Sequence, residues 1–375
     1  MKGEPKARPS TIKNTSPLKL YLTQLQVKHI FITGATGFVG ACLIHKLLEQ
    51  DNVHLSLLVR SSEKKTASDR VLDLLKNKSN MERITVYDGD ISKENFGLNE
   101  TEWNELTTKI DTIFHSAASI QFVLPLEEAR KINTRGTETI LKLGYACHKN
   151  GVLKLLCHIS TAYVCGKTPH FKETDLDIGQ NFNNNYEKSK LEAELLVNDA
   201  IQKGLPAMIF RPSIISGDFV TGEISESSIT FEFIKQLSVY RLEDYLCNDT
   251  SSLNIISVDY LVNAMLHISA NTDNLGKTFN ITNGSNVNLG NTLKNFSTLL
   301  NIKCPVFIPF DRQREVSKKT RLALHPFLGY YKTGHTFDDS QTRQALEDSD
   351  ISNPCIDYDF FSRIVTFCRE HNFNF

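Results

Sequence analysis

Between residues 28 and 212 the chain switches repeatedly between two hydrophobic periods. Six short runs rich in β-branched and large apolar residues, HIFIT, VHLSLLV, RITVY, DTIFHSA, LKLLCHIS and PAMIFRP, are separated by longer segments. Several of these, GACLIHKLLEQ, EEARKINTRGTETILKLGYACHK and YEKSKLEAELLVNDAIQKG, carry apolar residues at helical spacing. Near-continuous apolar strands alternating with amphipathic helices require burial on both sheet faces, which predicts an α/β fold with a doubly wound parallel sheet. After Arg211-Pro212 the alternation weakens and Gly, Ser, Asn and Pro become frequent, with helical stretches near 227–240, 259–271, 289–300 and 356–371. This pattern predicts a smaller, mixed substrate-binding region over residues 213–375, lying across the carboxyl ends of the strands, with some segments returning to the sheet. Residues 1–27 lack periodicity and are expected to form a flexible arm ahead of the nucleotide-binding domain at 28–212.

Composition narrows the function classes. A formal net charge of −1 gives no general reason to expect nucleic acid or an anionic membrane as partner. The longest apolar runs fall far short of the roughly 20 residues of a membrane span. The basic, polar N-terminus has no apolar segment behind it, so a cytoplasmic protein without a secretory signal is expected. None of the eight cysteines forms a C-x-x-C pair. Cys147-His148 and Cys157-His158 are adjacent in sequence and cannot readily share a metal, so reduced thiols and no metal site are expected. The sequons at Asn248 and Asn280 carry no information without a secretion signal.

TGATGFVG places Gly34, Gly37 and Gly40 between the first strand and the first helix. A tight turn, a close approach of backbone to pyrophosphate and close helix–strand packing each need a missing side chain, and the helix N-terminus offers N–H groups to phosphate. These features predict a Rossmann dinucleotide site. At the end of the second strand, where a carboxylate would bind the ribose hydroxyls of NAD, the chain has Arg60 followed by Ser61 and Ser62. A guanidinium can pair with a 2′-phosphate that a carboxylate would repel, so NADP(H) is favoured. Asp90 and Ile91, beyond the third strand, are placed to meet the adenine edge.

Three Y-x-x-x-K pairs occur: Tyr145/Lys149, Tyr163/Lys167 and Tyr186/Lys190. About one such pair is expected from composition, so the spacing proves nothing by itself. Tyr145 closes a helix at the amino ends of the strands, and Tyr163 is followed by Val-Cys-Gly, which is no helix. Tyr186 and Lys190 open a strongly helical segment, where residues four apart share a face. Ser160 and Thr161 end the fifth strand and offer hydroxyls to the same place, and a nearby ammonium would favour the Tyr186 phenolate.

In order and spacing, TGATGFVG, HSAAS, NTRGT, STAYVCG, YEKSK and RPSIISG resemble the extended short-chain dehydrogenase/reductase superfamily over about residues 28–300. The resemblance implies a catalytic triad of Thr161, Tyr186 and Lys190. It implies cofactor contacts from Gly34, Thr36, Gly37, Phe38, Val39, Gly40, Ser116, Ala117, Ala118, Tyr186, Lys190, Pro212, Ser213 and Ile214, with Asn133 supporting the site. HSAASIQF and STAY look most like the thioester reductase and fatty acyl-CoA reductase (male sterility-type) branch. That branch uses NADPH to reduce acyl thioesters, on coenzyme A or an acyl-carrier protein, to aldehydes or alcohols. Ser119, Phe122 and Thr161 would then meet substrate. The basic stretch RQREVSKKTRLALH, from Arg312, would grip coenzyme A phosphates or an acidic carrier, or be a solvated face. No adenylation or carrier domain is read in the sequence, so the thioester is expected to arrive in trans. A sugar-nucleotide or ketone reductase, epimerase or dehydratase would use the same triad, and a non-catalytic NADP(H) sensor would use the same fold.

Overall fold

The computed structural model describes residues 27–374, so all but the last residue of the expected N-terminal arm lies outside the described residues. Along the first half run β1 (Lys28–Thr33), α1 (Phe38–Leu48), β2 (Val53–Val59), α2 (Ala67–Leu74), β3 (Ile84–Asp88), α3 (Glu100–Lys109), β4 (Thr112–His115), α4 (Leu126–Lys149), β5 (Leu155–Ile159), β6 (His170–Phe171), α5 (Asn185–Gln202) and β7 (Ala207–Pro212). The second half holds β8 (Ile214–Ser216), α6 (Ile229–Ser238), β9 (Asp244–Leu246), β10 (Ser252–Leu253), β11 (Ile255–Ser257), α7 (Val258–Ser269), β12 (Thr278–Ile281), β13 (Val287–Asn288), α8 (Leu289–Leu300) and β14 (Val306–Ile308). It ends with α9 (Lys318–Leu324), α10 (Leu328–Thr333), β15 (Thr336–Phe337), α11 (Ser340–Leu346) and α12 (Tyr358–Glu370). The six apolar runs read from sequence become β1–β5 and β7.

These strands form one parallel sheet of seven in the order β12-β7-β5-β4-β1-β2-β3. The crossing from β3 back to β4, beside β1, is the switch point of a doubly wound fold, and ligands bind in the crevice it opens at the carboxyl ends. The seventh strand, β12, comes from the second half and pairs with β7 from Thr278↔Ile209 to Ile281↔Pro212. Burial explains the helix faces. Leu43, Ile44 and Leu47 of α1 share one core with Leu261, Met265 and Ile268 of α7 on one side of the sheet. Ile140, Leu143 and Cys147 of α4 and Val197 and Ala200 of α5 cover the other. The second half has its own core, with Phe231, Phe233, Phe296, Tyr331 and Phe361 at its centre.

Five short helices, α2, α3 and α9–α11, interrupt segments for which sequence periodicity predicts none. α2 and α3 are held by capping boxes, in which Thr66 and Asp69, and Asn99 and Glu102, satisfy each other's backbone N–H groups. Among the described residues no helix is long and apolar enough to cross a membrane.

A buried ion pair locks the carboxyl end of β7 to the helix beside it. Arg211 of β7 and Glu194 of α5 are 1% and 0% exposed. The guanidinium donates from Nε to Glu194 Oε1 at 2.8 Å, and through Nη2 to the same oxygen. Its remaining donors reach the carbonyls of Lys172 (3.2 Å) and Asp175 (2.7 Å), and the ring of Phe171 lies beneath it at 5.0 Å. The second carboxylate oxygen accepts the Ser160 hydroxyl at 2.6 Å. Substituting Glu194→Leu leaves the guanidinium buried and unpaired, and is expected to cost about 3–5 kcal/mol, read as a lower urea-unfolding midpoint. Adding Arg211→Met to Glu194→Leu should recover part of that loss.

Candidate active site

Two adjoining cavities, of about 540 and 510 Å³, open at the carboxyl ends of the strands. The larger begins at the turn after β1. Gly34 has φ 71°, and a Cβ there would lie 2.7 Å from Ala117 N; a Cβ on Gly40 would lie 2.2 Å from Gly34 O. No side chain of ordinary size fits either position. Gly37 caps α1 without a side-chain bond, and no acidic residue occupies the first turn, so the helix terminus faces the cavity as an anion-binding end. This cradle suits a pyrophosphate. Thr36, Phe38 and Val39 line it with Gly34 and Gly37, whereas Gly40 acts through packing.

Arg60, Asp90, Ile91, Ser116, Ala117 and Ala118 line the same cavity. Arg60 is exposed, with Nη1 3.5 Å from Asp90 Oδ2. Sequence reasoning missed Arg70 of α2. Its guanidinium donates to Arg60 O at 2.5 Å and to Thr36 Oγ1 at 3.0 Å, placing a second cation between the glycine turn and Arg60. The only sequence signal for it was an arginine in the helix after the second strand. Ser61 turns away and binds Asp88 through its backbone N–H (2.9 Å) and hydroxyl (2.5 Å). Ser119, expected on the substrate side, instead lines the dinucleotide cavity, with its backbone held by both ends of the Asn133 amide (2.8 and 3.2 Å). Asn133 also donates to Ser189 Oγ of α5 at 2.9 Å, which ties the loop after β4 to that helix.

The smaller cavity is mostly apolar and gathers Thr161, Tyr186, Lys190, Pro212, Ser213, Ile214 and Phe122 from four separate segments. α5 begins at Asn184, whose side chain accepts the Glu187 N–H, so Tyr186 and Lys190 stand one turn apart on its first turns. The Thr161 hydroxyl lies beside the Tyr186 phenol in the cavity wall and lowers its proton affinity. Lys190 is buried and donates from Nζ to Ile159 O at 2.8 Å. Burial pulls its ammonium down to about 8, against the opposing pull of Glu194. Burial likewise pushes the Tyr186 phenol up to about 12, which Thr161 only partly offsets. The expectation that Lys190 stabilises a phenolate is not met, because its ammonium is committed to the Ile159 carbonyl. Tyr186 therefore stays protonated at neutral pH, the form a proton donor needs.

Two histidines lie behind this pair. His115 bonds Thr33 Oγ1 (2.8 Å) and Thr137 Oγ1 (3.0 Å), and burial drives it down to about 3. His158, with its ring centroid 5.3 Å away, is also driven well below the usual imidazole range by burial and by Lys190. Both stay neutral and add no charge next to the ammonium.

Of the other tyrosines, Tyr145 is 37% exposed on α4, whereas Tyr163 is buried in the cavity wall, edge-on to Tyr330 at 4.9 Å. Phe122 meets Tyr186 at 5.8 Å, Tyr330 at 5.5 Å and Phe327 at 5.8 Å, so the cavity has an aromatic flank. Phe327 and Tyr330, from the second half, had no periodic signal to mark them. Among the described residues no group of three or more His, Cys, Asp or Glu side chains is placed to hold a metal.

The Lys190 ammonium titrates near 8 in the folded chain against 10.5 for a free lysine, so between these values the unfolded chain binds more protons. Stability from this group should therefore rise with pH from about 8 to about 10.5, by about 3 kcal/mol. The difference between wild type and Lys190→Met in urea midpoints across that range measures it.

The family model described as male sterility protein matches residues 32–265, more than half of the chain. The nonribosomal peptide synthetase asaC of Aspergillus flavus is 34% identical over 270 residues, which are 67% of this chain and 26% of that protein. The fatty acyl-CoA reductase wat of Drosophila melanogaster is 29% identical over 297 residues, 68% of this chain and 56% of that protein. The chain thus spans about a quarter of the first and a little over half of the second. Among solved structures, the terminal R domain from the myxalamid PKS-NRPS biosynthetic pathway superposes with a TM-score of 0.80 at 25% identity, covering 93% of this chain and 92% of that one. With a glycine turn suited to a dinucleotide and a Tyr186–Thr161 pair beside it, the chain belongs to the male sterility protein family of extended short-chain dehydrogenase/reductases.

Proposed function

We propose that this protein reduces an acyl thioester, carried on coenzyme A or an acyl-carrier protein, to the aldehyde with NADPH, and that the same site can reduce the aldehyde to the alcohol. The observation that carries the reading is the Tyr186–Thr161 hydroxyl pair, in an apolar cavity that opens directly onto the dinucleotide cradle. The cofactor, when bound, supplies the hydride. Thr161 and Tyr186 receive the carbonyl oxygen and stabilise the oxyanion as it forms, since fixed donors in a water-poor site need no reorganisation. Tyr186 then gives its proton to that oxygen. Lys190, anchored on Ile159 O, would hold the cofactor ribose, and Pro212, Ser213 and Ile214 line the same cavity. Collapse of the resulting thiohemiacetal releases thiol and aldehyde.

The choice of NADPH rests on Arg60 and Arg70, two guanidinium groups at this end of the cavity, with an arginine rather than a carboxylate at the end of β2; Asp90 lies 3.5 Å from Arg60 on the same wall. The thioester carrier is anionic in either form, and one rim of the site is basic. From Arg312 to Gly334 the chain holds Arg312, Arg314, Lys318, Lys319, Arg321 and Lys332 against the single acid Glu315. That segment runs into Pro326 and Phe327 of the cavity wall. All eight cysteines are free, which fits a reducing compartment and a cytoplasmic site of action.

Purified protein, NADPH and a panel of acyl-CoA and acyl-carrier thioesters, assayed for NADPH oxidation, free thiol, aldehyde and alcohol, test the reading. One thiol released per thioester reduced is the expected result, with turnover falling about 10²–10⁴-fold in Tyr186→Phe. NADPH binding without reduction of any thioester, but with reduction of a ketone or sugar-nucleotide carbonyl, overturns it. In the same assay Arg70→Ala should raise KM for NADPH roughly ten- to a hundred-fold while leaving KM for NADH unchanged, the loss of about 1.5–3 kcal/mol from a charge-assisted contact.

A further inference from the structure

The first turn of α5 is held by a residue from the far end of the chain. Asn184, its N-cap, accepts the Glu187 N–H on Oδ1 at 3.0 Å and donates from Nδ2 to the Tyr330 hydroxyl at 2.8 Å. The Glu187 carboxylate is 0% exposed. It accepts Asn183 N at 2.7 Å and Asn183 Nδ2 at 3.2 Å, and the Tyr330 hydroxyl lies close enough to lower its proton affinity. Tyr330 thus bonds one of the two polar groups that flank Tyr186, Asn184, and lies beside the other, Glu187. The neighbouring Gly329 presses on the same turn, since a Cβ there would sit 2.1 Å from Asn183 Oδ1. From the other side, the Tyr330 ring stacks on Phe122, which lies against Tyr186.

The short helix carrying Tyr330 is itself fixed. α10 ends in the left-handed Gly334, at φ 60°, and His335 then donates from Nε2 to Gly166 O at 2.8 Å. β15 next pairs with β6. The wall could therefore be packed as well by phenylalanine. Burying a phenol and a carboxylate together adds no stability over apolar residues of the same shape, so packing gives no reason for this polar cluster. Its geometric consequence lies at Tyr186, the residue between Asn184 and Glu187.

We propose that Tyr330 is a positioning residue for proton transfer. By bonding Asn184, the N-cap, and stacking on Phe122 it fixes the first turn of α5, so that the Tyr186 hydroxyl is held against Thr161 while Phe122 packs on the Tyr186 ring. The proposal rests on the reading of Tyr186 as proton donor.

Tyr330→Phe keeps the ring and removes the bond to Asn184. In the thioester assay kcat should fall by about ten- to a hundred-fold, the cost of a misplaced reacting group. KM for NADPH should stay at the wild-type value, and the isotope effect with NADPH deuterated at the transferred C4 position should grow as chemistry becomes rate-limiting. Asn184→Ser, which keeps a capping oxygen but no donor within reach of Tyr330, should reproduce the kcat-selective loss. Glu187→Gln, which keeps an acceptor, should lose less than Tyr330→Phe. An unchanged kcat and isotope effect in Tyr330→Phe overturns the proposal. So does a loss shared in proportion by kcat, NADPH binding and thermal stability, which marks a structural role only. Tyr186→Phe run alongside separates the two levels. If it turns over at the wild-type rate, the proton-donor reading falls and takes the proposal with it; if it is inactive while Tyr330→Phe is unimpaired, the positioning proposal alone falls.

Discussion

The Arg211–Glu194 pair is the contact on which the geometry of the cleft depends. Two buried charges must satisfy nearly every donor and acceptor to be tolerated, and here they do so by reaching four segments at once: β7, α5, the end of β5 through Ser160, and the loop at 172–175. The hydroxyl of Thr161 follows Ser160 directly, and Tyr186 and Lys190 stand on the helix that carries Glu194. Satisfying one ion pair therefore sets the distance between the strand that holds Thr161 and the helix that holds Tyr186. Glu173 in the same loop extends the lock, accepting Asn280 N of β12 at 3.0 Å and Gln341 N of α11 at 2.6 Å.

Within that frame the two ends of the cleft differ in chemistry. At the outer edge of the sheet, charge dominates, with Arg60, Arg70 and an uncapped helix terminus facing an exposed cavity suited to phosphate. Near the centre, burial dominates and suppresses charge. His115 and His158 stay neutral, Lys190 titrates near 8, and Tyr186 holds its proton. A molecule spanning the cleft would keep its anionic end toward solvent and its reacting end in an apolar space, where hydrogen bonds to a forming oxyanion are strongest.

The second half of the chain completes both ends. β12 covers the edge of β7, α7 packs beside α1 on the same face of the sheet, and Phe327 and Tyr330 supply the aromatic flank against Phe122. The cavity walls are thus built by residues as far apart in sequence as Val39 and Tyr330, from loops and short helices more than from the regular sheet.

Much of the fold was legible because its signals are local. Strand alternation marked β1–β5 and β7, and the glycine spacing marked the turn after β1, since both reflect steric demands that act within a few residues. The Y-x-x-x-K test selected Tyr186/Lys190 over Tyr145/Lys149 and Tyr163/Lys167 by helical context, and Tyr186 and Lys190 do line the cavity with Thr161. The seventh strand, TFNI, is too short to be read as a sheet strand by periodicity, and α9–α11 span only six or seven residues each. Arg70 became visible only once α2 was packed beside β2, and Ser119 changed cavity because Asn133 holds its backbone. Lys190 points to the Ile159 carbonyl, a partner that no spacing could name, and burial then sets its proton affinity. By itself the sequence determined the sheet, the glycine cradle and the chemical identity of the reacting groups. Tertiary structure alone decided which ends of the chain meet, which charges survive burial, and how the Tyr186 hydroxyl is aimed, because each depends on contacts between residues far apart in sequence.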